Sequence, residues 1–133
     1  MDEQEMPTRP GRILVMDDEE LFQRVIGSQL QYLGHEVGFA ADGQEAVDKY
    51  RKAMDSGTPF DLVIMDLTIP GGMGGEEAVG MIHEMDPKAK VVVSSGYSND
   101  PIMSSYQDYG FMAAIAKPFK LYELQQILAM ALS

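Results

Sequence analysis

The sequence predicts an α/β fold: a doubly wound, five-stranded parallel sheet with helices on both faces. Five short, nearly continuous apolar runs are spread along the 133 residues, and segments with helical spacing separate them. Glycine or proline marks several of the junctions. Continuous apolar runs are typical of parallel strands buried on both faces, and their alternation with helices is typical of doubly wound sheets.

The first strand and the first helix are predicted at residues 12–16 and 19–33. The run RILVM is apolar and stops at four acidic residues, as expected for a buried strand that reaches the edge of a sheet. In the next segment the acids come first, where the helix macrodipole favours them, and Gly34 follows the last turn. The residues expected on the apolar face are Leu21, Phe22, Val25, Ile26, Leu30 and Leu33.

Two further strands, 35–40 and 60–66, are predicted on either side of a helix at 43–54. Asp42-Gly43 is typical of a turn before this helix, and a Ser-Gly-Thr-Pro stretch separates the helix from the following strand. The residues expected on the apolar face of the helix are Ala46, Val47, Tyr50 and Met54.

The second half of the chain continues the same alternation. Its predicted elements are a glycine-rich loop at 68–75, a helix at 76–85, a strand at 90–95, a short, weak helix at 99–108, a strand at 111–116 and a final amphipathic helix at 120–132. Residues 1–11 contain two prolines and no periodicity, and we expect them to form a flexible leader before a single domain at 12–133.

The composition argues against several classes of function. The formal net charge is −11, from 21 acidic and 10 basic residues, so the surface repels nucleic acid phosphates and no direct nucleic acid binding is expected. The chain has no cysteine, which excludes disulfides and thiolate metal sites and fits a reducing cytoplasm. No apolar run is long enough for a membrane span, and the N-terminus lacks the apolar core of a secretory signal.

Polar groups stand at the carboxyl ends of four of the five predicted strands. In open α/β sheets the binding site forms beyond these ends, so we expect these groups to meet at one edge. Taken singly, each has an ordinary structural explanation as a helix cap or a turn residue. Together they form the candidate site, which consists of Asp17, Asp18, Asp66, Ser94, Ser95 and Lys117.

This combination has the chemistry that phosphoryl transfer to a carboxylate requires. A pair of carboxylates about 4 Å apart repels by roughly 4 kcal/mol at an effective dielectric of about 20, so a cluster of three needs a cation. Oxygen ligands suit Mg²⁺ or Mn²⁺. Lys117 and a serine hydroxyl are suited to binding the oxygens of a phosphoryl group, and an aspartate can serve as its acceptor.

The candidate site residues lie in four segments: ILVMDDE at 13–19, DLVIMDLTIPGGMGG at 61–75, VVVSSGY at 91–97 and AKPF at 116–119. Together these segments resemble the response-regulator receiver domain of two-component phosphorelays. The resemblance covers about residues 12–132. It implies the flavodoxin-like strand order 2-1-3-4-5, which is the order known for this family.

The resemblance also assigns roles at the site. It implies that Asp66 is the phosphoacceptor, that Asp18 binds the metal directly and that Asp17 binds it through water. The backbone carbonyl of Thr68 would complete the ligand set. Lys117 matches the lysine of the family, and its bond to the following proline is expected to be cis.

The resemblance also implies roles in switching and in the lifetime of the phosphorylated state. Ser95, next to a glycine, matches the hydroxyl that turns towards the phosphoryl group, and Ser94 is the weaker candidate. Tyr97 and Thr68 flank the approach of water and are expected to tune the lifetime of the acyl phosphate. The surface at 99–132 is expected to change on phosphorylation.

The family's activity implies partners but no turnover of a small substrate. The donor would be the phosphohistidine of a histidine kinase or a histidine phosphotransfer domain, and the downstream effector is unknown. Such a domain is not a classical enzyme: it promotes its own phosphorylation and slow dephosphorylation.

The sequence departs from the usual family pattern at three places. The loop Pro70–Gly75 is one residue longer than the common form and is similar to loops in receivers of hybrid histidine kinases. Ala114 stands where an aromatic switch residue is common, which puts the usual coupling to Ser95 in doubt. No output domain is expected after Ser133. The chain is either a free-standing regulator or a segment of a longer relay protein, and the loop favours the second.

Two other classes of protein share part of the pattern. Haloacid-dehalogenase-type phosphatases also use an aspartate nucleophile, but their nucleophile lies on the first strand and their acidic pair comes last. Here the acidic pair comes first, and Thr68 stands two residues after Asp66. A receiver fold that only binds partners usually lacks an acid or the lysine, whereas this sequence has them all.

Three other features are interpreted as structural. His35 and His83 are expected to be surface or turn residues away from the site. The methionines are expected mainly to fill the core. The glycines at 71–75 lack the Gly-Lys-Ser/Thr ending of a phosphate-binding P-loop.

Overall fold

The computed structural model describes residues 9–97 and 99–132. Most of the predicted leader at 1–11 therefore lies outside the described residues, as do position 98 and Ser133. Within the described ranges, none of the helices combines the length and the apolar character that crossing a membrane requires.

The sheet confirms the predicted fold class. Its five strands are all parallel and lie in the order β2-β1-β3-β4-β5. The strands are β1 (Arg12–Met16), β2 (Glu36–Ala40), β3 (Leu62–Asp66), β4 (Val91–Ser95) and β5 (Ala113–Ala116). The helices are α1 (Glu20–Tyr32), α2 (Gly43–Asp55), α3 (Gly75–Met85), α4 (Pro101–Ser104) and α5 (Leu121–Leu132), with a 3-10 helix at Tyr106–Tyr109.

The core has two layers because successive strand residues point to opposite faces of the sheet. One layer joins the strands to α1 and α5, and its buried members include Ile13, Val15, Ile64, Ile26, Leu30, Leu124 and Leu128. The other joins them to α2 and α3, and its buried members include Leu14, Met16, Met65, Val47, Tyr50, Val79 and Ile82. Because helices cover both faces of the sheet, polar side chains lie at the carboxyl ends of the strands.

The apolar face of α1 is narrower than the sequence predicted. Leu21 and Val25 are 74% and 51% exposed, so placing them on the buried face was wrong. The residues that pack on the sheet are Phe22, Ile26 and Leu30, which follow one another at intervals of four. A helix on a flat sheet buries one such stripe, and the positions one residue earlier are rotated out to solvent.

The single helix predicted at 99–108 is also incorrect, because two short pieces take its place. Asp100 caps α4 by accepting a hydrogen bond from the Ile102 N–H at 3.0 Å, but the α-helix ends at Ser104. The Ser104 hydroxyl bonds back to the Pro101 carbonyl, an alternative to continued helix. Neither piece has a fully buried residue, so little buried apolar surface stabilises a longer helix.

The end of the sheet away from the candidate site holds a buried histidine. His35 was expected to be a surface or turn residue; it follows the turn at 33–34, directly before β2, but the surface location was wrong because it is only 5% exposed. Its Nδ1 accepts a hydrogen bond from the Gly11 N–H at 3.0 Å. Nearby, Asp61 accepts a hydrogen bond from the Arg12 N–H and forms an ion pair with Arg9. Arg9 and Gly11, which precede the predicted start at residue 12, therefore also contact the domain.

We predict that the free energy of unfolding decreases below about pH 6.5 because of His35. Burial lowers the pKa of His35 from its ordinary value of 6.5, and the carboxylate of Asp61 only partly opposes this. The unfolded chain therefore binds a proton more readily than the folded chain. The stabilisation by neutral His35 is complete above pH 6.5 and is lost as the pH falls through that value towards the folded pKa.

Urea unfolding at about pH 7.5 and about pH 5.5 measures this effect. His35→Asn is the matched control, because an asparagine oxygen keeps an acceptor for the Gly11 N–H but does not titrate. The loss of stability on acidification should be smaller in this variant. An equal loss in both proteins would assign the pH dependence to other groups.

Candidate functional site

The strand register brings the predicted acids together. Met16 of β1 pairs with Met65 of β3, so Asp17 and Asp66, the next residues, lie side by side at the carboxyl ends of the strands. With Asp18 they form a cluster in which one ligand atom from each residue lies within 4.8 Å of the others. Asp17 is completely buried and Asp66 is 9% exposed, whereas Asp18 faces solvent.

Lys117 lies between the two buried carboxylates. Its Nζ forms an ion pair with Asp17 and lies 3.3 Å from Oδ2 of Asp66 and 3.9 Å from Oε1 of Glu19. The backbone N–H of Lys117 donates to the Ser95 carbonyl at 2.8 Å, which attaches the end of β5 to the end of β4. The Lys117–Pro118 peptide bond is cis, as expected.

Burial and neighbouring charges shift the pKa values of Asp66 and Lys117. Desolvation raises the pKa of Asp66; Lys117 lowers it in part and the Asp17 carboxylate raises it further. Desolvation by itself would lower the pKa of Lys117, but the carboxylates of Asp17 and Asp66 outweigh it, so that pKa is raised. Lys117 therefore stays charged, while a cluster of three acids, two of them buried, with one lysine remains short of positive charge.

Backbone contacts fix Asp17 in place. Its Oδ1 accepts from the Glu19 N–H at 2.8 Å, and its own N–H donates to the Ala40 carbonyl at 2.9 Å. The side chain of Gln23 donates to the carbonyls of Asp17 and Ala40, at 2.7 and 3.2 Å, and so joins the ends of β1 and β2. Gln23 was not among the predicted site residues. Its position near the start of α1, the helix that follows Asp17 and Asp18, is the feature of the sequence that could have indicated it.

The glycine-rich loop folds back onto the end of β3. Gly75 donates its N–H to the Leu67 carbonyl at 3.1 Å, and Gly43 of α2 donates to the Met73 carbonyl at 2.7 Å. A Cβ at Gly74 would lie only 2.3 Å from the Leu67 oxygen, and one at Gly43 only 2.8 Å from the Met73 oxygen. Close backbone packing therefore accounts for these glycines, which agrees with the absence of a P-loop motif.

The other predicted site residues surround this cluster. Ser95 is buried, and its Oγ accepts from the Tyr97 N–H at 3.0 Å. Ser94, opposite Asp66 in the register, is buried with no hydrogen-bond partner for its hydroxyl in the part of the chain that the structure describes. Thr68 is exposed, and Tyr97 is 71% exposed. The two serine hydroxyls make no hydrogen bond to the Asp66 carboxylate within residues 9–97 and 99–132.

Two aromatic residues adjoin Lys117, and the sequence did not mark them as part of the site. The Nζ of Lys117 lies 4.3 Å from the ring centroid of Phe22. The ring of Phe119 meets that of Phe22 edge to face, with centroids 5.7 Å apart. Phe22 was assigned to the core from its helical spacing alone.

The donor set fits a hard divalent cation. Carboxylate oxygens from Asp17, Asp18 and Asp66 converge, and oxygen donors of this kind are preferred by Mg²⁺. Three carboxylates against one ammonium leave an excess of two negative charges, which a divalent ion would neutralise. His35 and His83 take no part, since each contacts backbone atoms elsewhere.

Known proteins share the sequence pattern and the fold. The model of the response regulator receiver domain family matches residues 13–129. The chemotaxis protein CheY of Treponema pallidum is 40% identical over 110 residues, which cover 82% of this chain and 74% of that protein.

Two solved structures illustrate the likeness. One is the CheX–CheY complex of Borrelia burgdorferi with beryllofluoride and magnesium, with a TM-score of 0.82, 26% identity and coverage of 91% of this chain and 88% of that chain. The other is the receiver domain of a sensor histidine kinase of Pseudomonas aeruginosa, with magnesium coordinated in its active-site cleft. Its TM-score is 0.80 at 26% identity, with coverage of 92% of this chain and 98% of that chain.

The match over residues 13–129, the strand order and the acidic cluster beside Lys117 agree with one another. This chain belongs to the response regulator receiver domain family, and it is a receiver domain of a two-component signalling system.

Proposed function

We propose that Asp66 accepts the phosphoryl group in this receiver domain. The observation that carries the proposal is the convergence of Asp17, Asp18 and Asp66 beside Lys117 at the carboxyl ends of the strands. Asp66 is the member of the cluster that ends a strand and also contacts the lysine at 3.3 Å. Its oxygen attacks the phosphorus of a phosphohistidine, the P–N bond breaks, and an acyl phosphate forms.

The same acids are proposed to hold Mg²⁺, or Mn²⁺, together with the backbone carbonyl of Thr68. The exposed Asp18 would bind the ion directly, and the buried Asp17, already paired with Lys117, would bind it through water. When bound, the ion neutralises charge on the acids and the phosphoryl oxygens. Lys117 orients one phosphoryl oxygen with its ammonium group, which the raised pKa keeps charged.

Phosphorylation is proposed to change the surface formed by residues 99–132. Ser95 exchanges its bond to the Tyr97 N–H for one to a phosphoryl oxygen. Ala114, in place of an aromatic residue, packs against the same core layer as Ile102, Met103 and Tyr106. The response therefore passes to α4 and the 3-10 helix rather than through the rotation of a ring at 114.

The domain is proposed to work in the cytoplasm as a folded unit at residues 12–133. Its phosphoryl donor is a histidine kinase or a histidine phosphotransfer domain, and its output is an effector protein. It promotes its own phosphorylation and slow dephosphorylation, and the exposed Thr68 and Tyr97 tune the lifetime of the acyl phosphate. Both a free-standing regulator and a segment of a hybrid histidine kinase fit this function.

We predict that acetyl phosphate with Mg²⁺ adds one phosphoryl group to the domain and that Asp66→Asn abolishes the addition. An amide nitrogen at position 66 cannot form the acyl phosphate, although the fold is unchanged. Intact-mass spectrometry measures the product. Modification of the variant at the wild-type rate would place the acceptor elsewhere, and turnover of a small phosphate ester would revive the phosphatase alternative.

Asp18→Asn should weaken Mg²⁺ binding by at least about tenfold, because a charged ligand is removed from the cation site. Asp18 is exposed, so folding should not suffer. The affinity is measured by following amide shifts during a Mg²⁺ titration. Glu20→Gln is the control: it removes an exposed carboxylate of α1 outside the cluster. Equal losses in both variants would mean that only the general negative charge attracts the ion.

Ser95→Ala should weaken beryllofluoride binding by about tenfold or more, the equivalent of a hydrogen bond to a charged group. It should also shrink the amide shifts that spread over residues 99–132. Ser94→Ala is the matched control, since it removes a neighbouring buried hydroxyl that has no partner in the described residues. If Ser94→Ala has the larger effect, the roles of the two serines are reversed.

A further inference from the structure

We infer that Phe22 is a positioning residue for Lys117, holding its ammonium group between Asp17 and Asp66. The inference rests on the role proposed above for Lys117. It assigns to an apolar residue of α1 a part in the phosphotransfer reaction, beyond its place in the core.

The first observation is the surroundings of the Lys117 ammonium. Its Nζ has carboxylates of Asp17 and Asp66 on one side and the ring of Phe22, 4.3 Å away, on another. The side chain of Lys117 is only 13% exposed, so water screens this contact weakly. A cation at this distance from an aromatic face is attracted by the negative face of the ring.

The second observation is that the ring is itself held. Phe22 lies in the first turn of α1, two residues after Glu20, and packs against the core layer shared by α1 and α5. Phe119, two residues after Lys117, meets the ring edge to face with an interplanar angle of 83°. Both sides of the site therefore fix the ring, one through α1 and the other through the segment that leads into α5.

An aromatic face suits this position better than another carboxylate. Phosphoryl oxygens must compete for the N–H groups of Lys117, and each carboxylate already present is a strong competitor. The ring attracts the ammonium without providing an acceptor of similar strength. It thus limits the rotamers of a long, flexible side chain while leaving an N–H available to a phosphoryl group.

The ordinary alternative is that Phe22 only fills space, in which case any apolar residue of similar size would serve. Phe22→Leu keeps an apolar side chain and removes the aromatic face, whereas Phe22→Tyr keeps the face. Comparing the two variants separates a role in positioning from a role in packing. The unfolding free energy of each variant is measured alongside, so that a loss of folding is recognised.

The test measures the rate of phosphorylation by acetyl phosphate at saturating Mg²⁺. Phe22→Leu should slow the reaction by roughly 3- to 30-fold, the rate equivalent of a partly desolvated cation–π contact. Phe22→Tyr should stay within about twofold of wild type. The Mg²⁺ affinity should be unchanged in both, because Phe22 provides no ligand. The ε-methylene protons of Lys117 should lose their ring-current shift in Phe22→Leu only.

A double-mutant cycle adds a result that packing alone would not give. In a Lys117→Met background, Phe22→Leu should have no further effect on the rate, since the ring acts through the ammonium. Equal rates for Phe22→Leu and wild type, or equal slowing by Phe22→Leu with and without Lys117, would overturn the inference. Failure of wild type itself to be phosphorylated would instead overturn the proposed function, and this inference with it.

Discussion

The repulsion among three carboxylates at the edge of one sheet is the constraint on which the site depends. Asp17, Asp18 and Asp66 lie within reach of a single ion, and two of them are removed from water. Lys117 compensates part of this negative charge, so the site presents both acidic groups and an ammonium group. The excess negative charge attracts a cation, and the fixed ammonium then remains to bind a phosphoryl oxygen. The same imbalance that disfavours the empty site therefore prepares it for phosphotransfer.

The rest of the fold serves to keep these groups together. Parallel strands place their carboxyl ends at one edge, and Gln23 joins the ends of β1 and β2 behind Asp17. The glycine-rich loop after Asp66 folds back closely, and a Cβ at Gly74 would lie only 2.3 Å from the carbonyl oxygen of Leu67. Positioning accounts for most of the catalytic effect in phosphoryl transfer, so this rigidity is a functional property.

Continuous apolar runs and polar strand ends are local signals, so they predicted the strands and the edge of the sheet where Asp17, Asp18 and Asp66 converge, whereas the strand order was predicted from the resemblance to receiver domains. The sequence was insufficient where tertiary packing decides. The exposure of Leu21 depends on how α1 rests on the sheet, and the burial of His35 depends on the segment around Gly11. The aromatic contact of Phe22 with Lys117 joins residues far apart in the chain, and helical spacing alone cannot show it.

The region between β4 and β5 differs from the rest of the molecule in how weakly it is held. Its two short helices, α4 and Tyr106–Tyr109, have no buried residue, although Ile102, Met103 and Tyr106 pack partly against the core. Segments with few buried contacts open at low free-energy cost and respond most readily to a local change. With Ala114 providing no ring to rotate, a movement of Ser95 would act directly on this loosely packed segment. Under the function proposed above, the short, interrupted helix and the missing aromatic residue would be two parts of one arrangement, in which the output depends on how this segment packs.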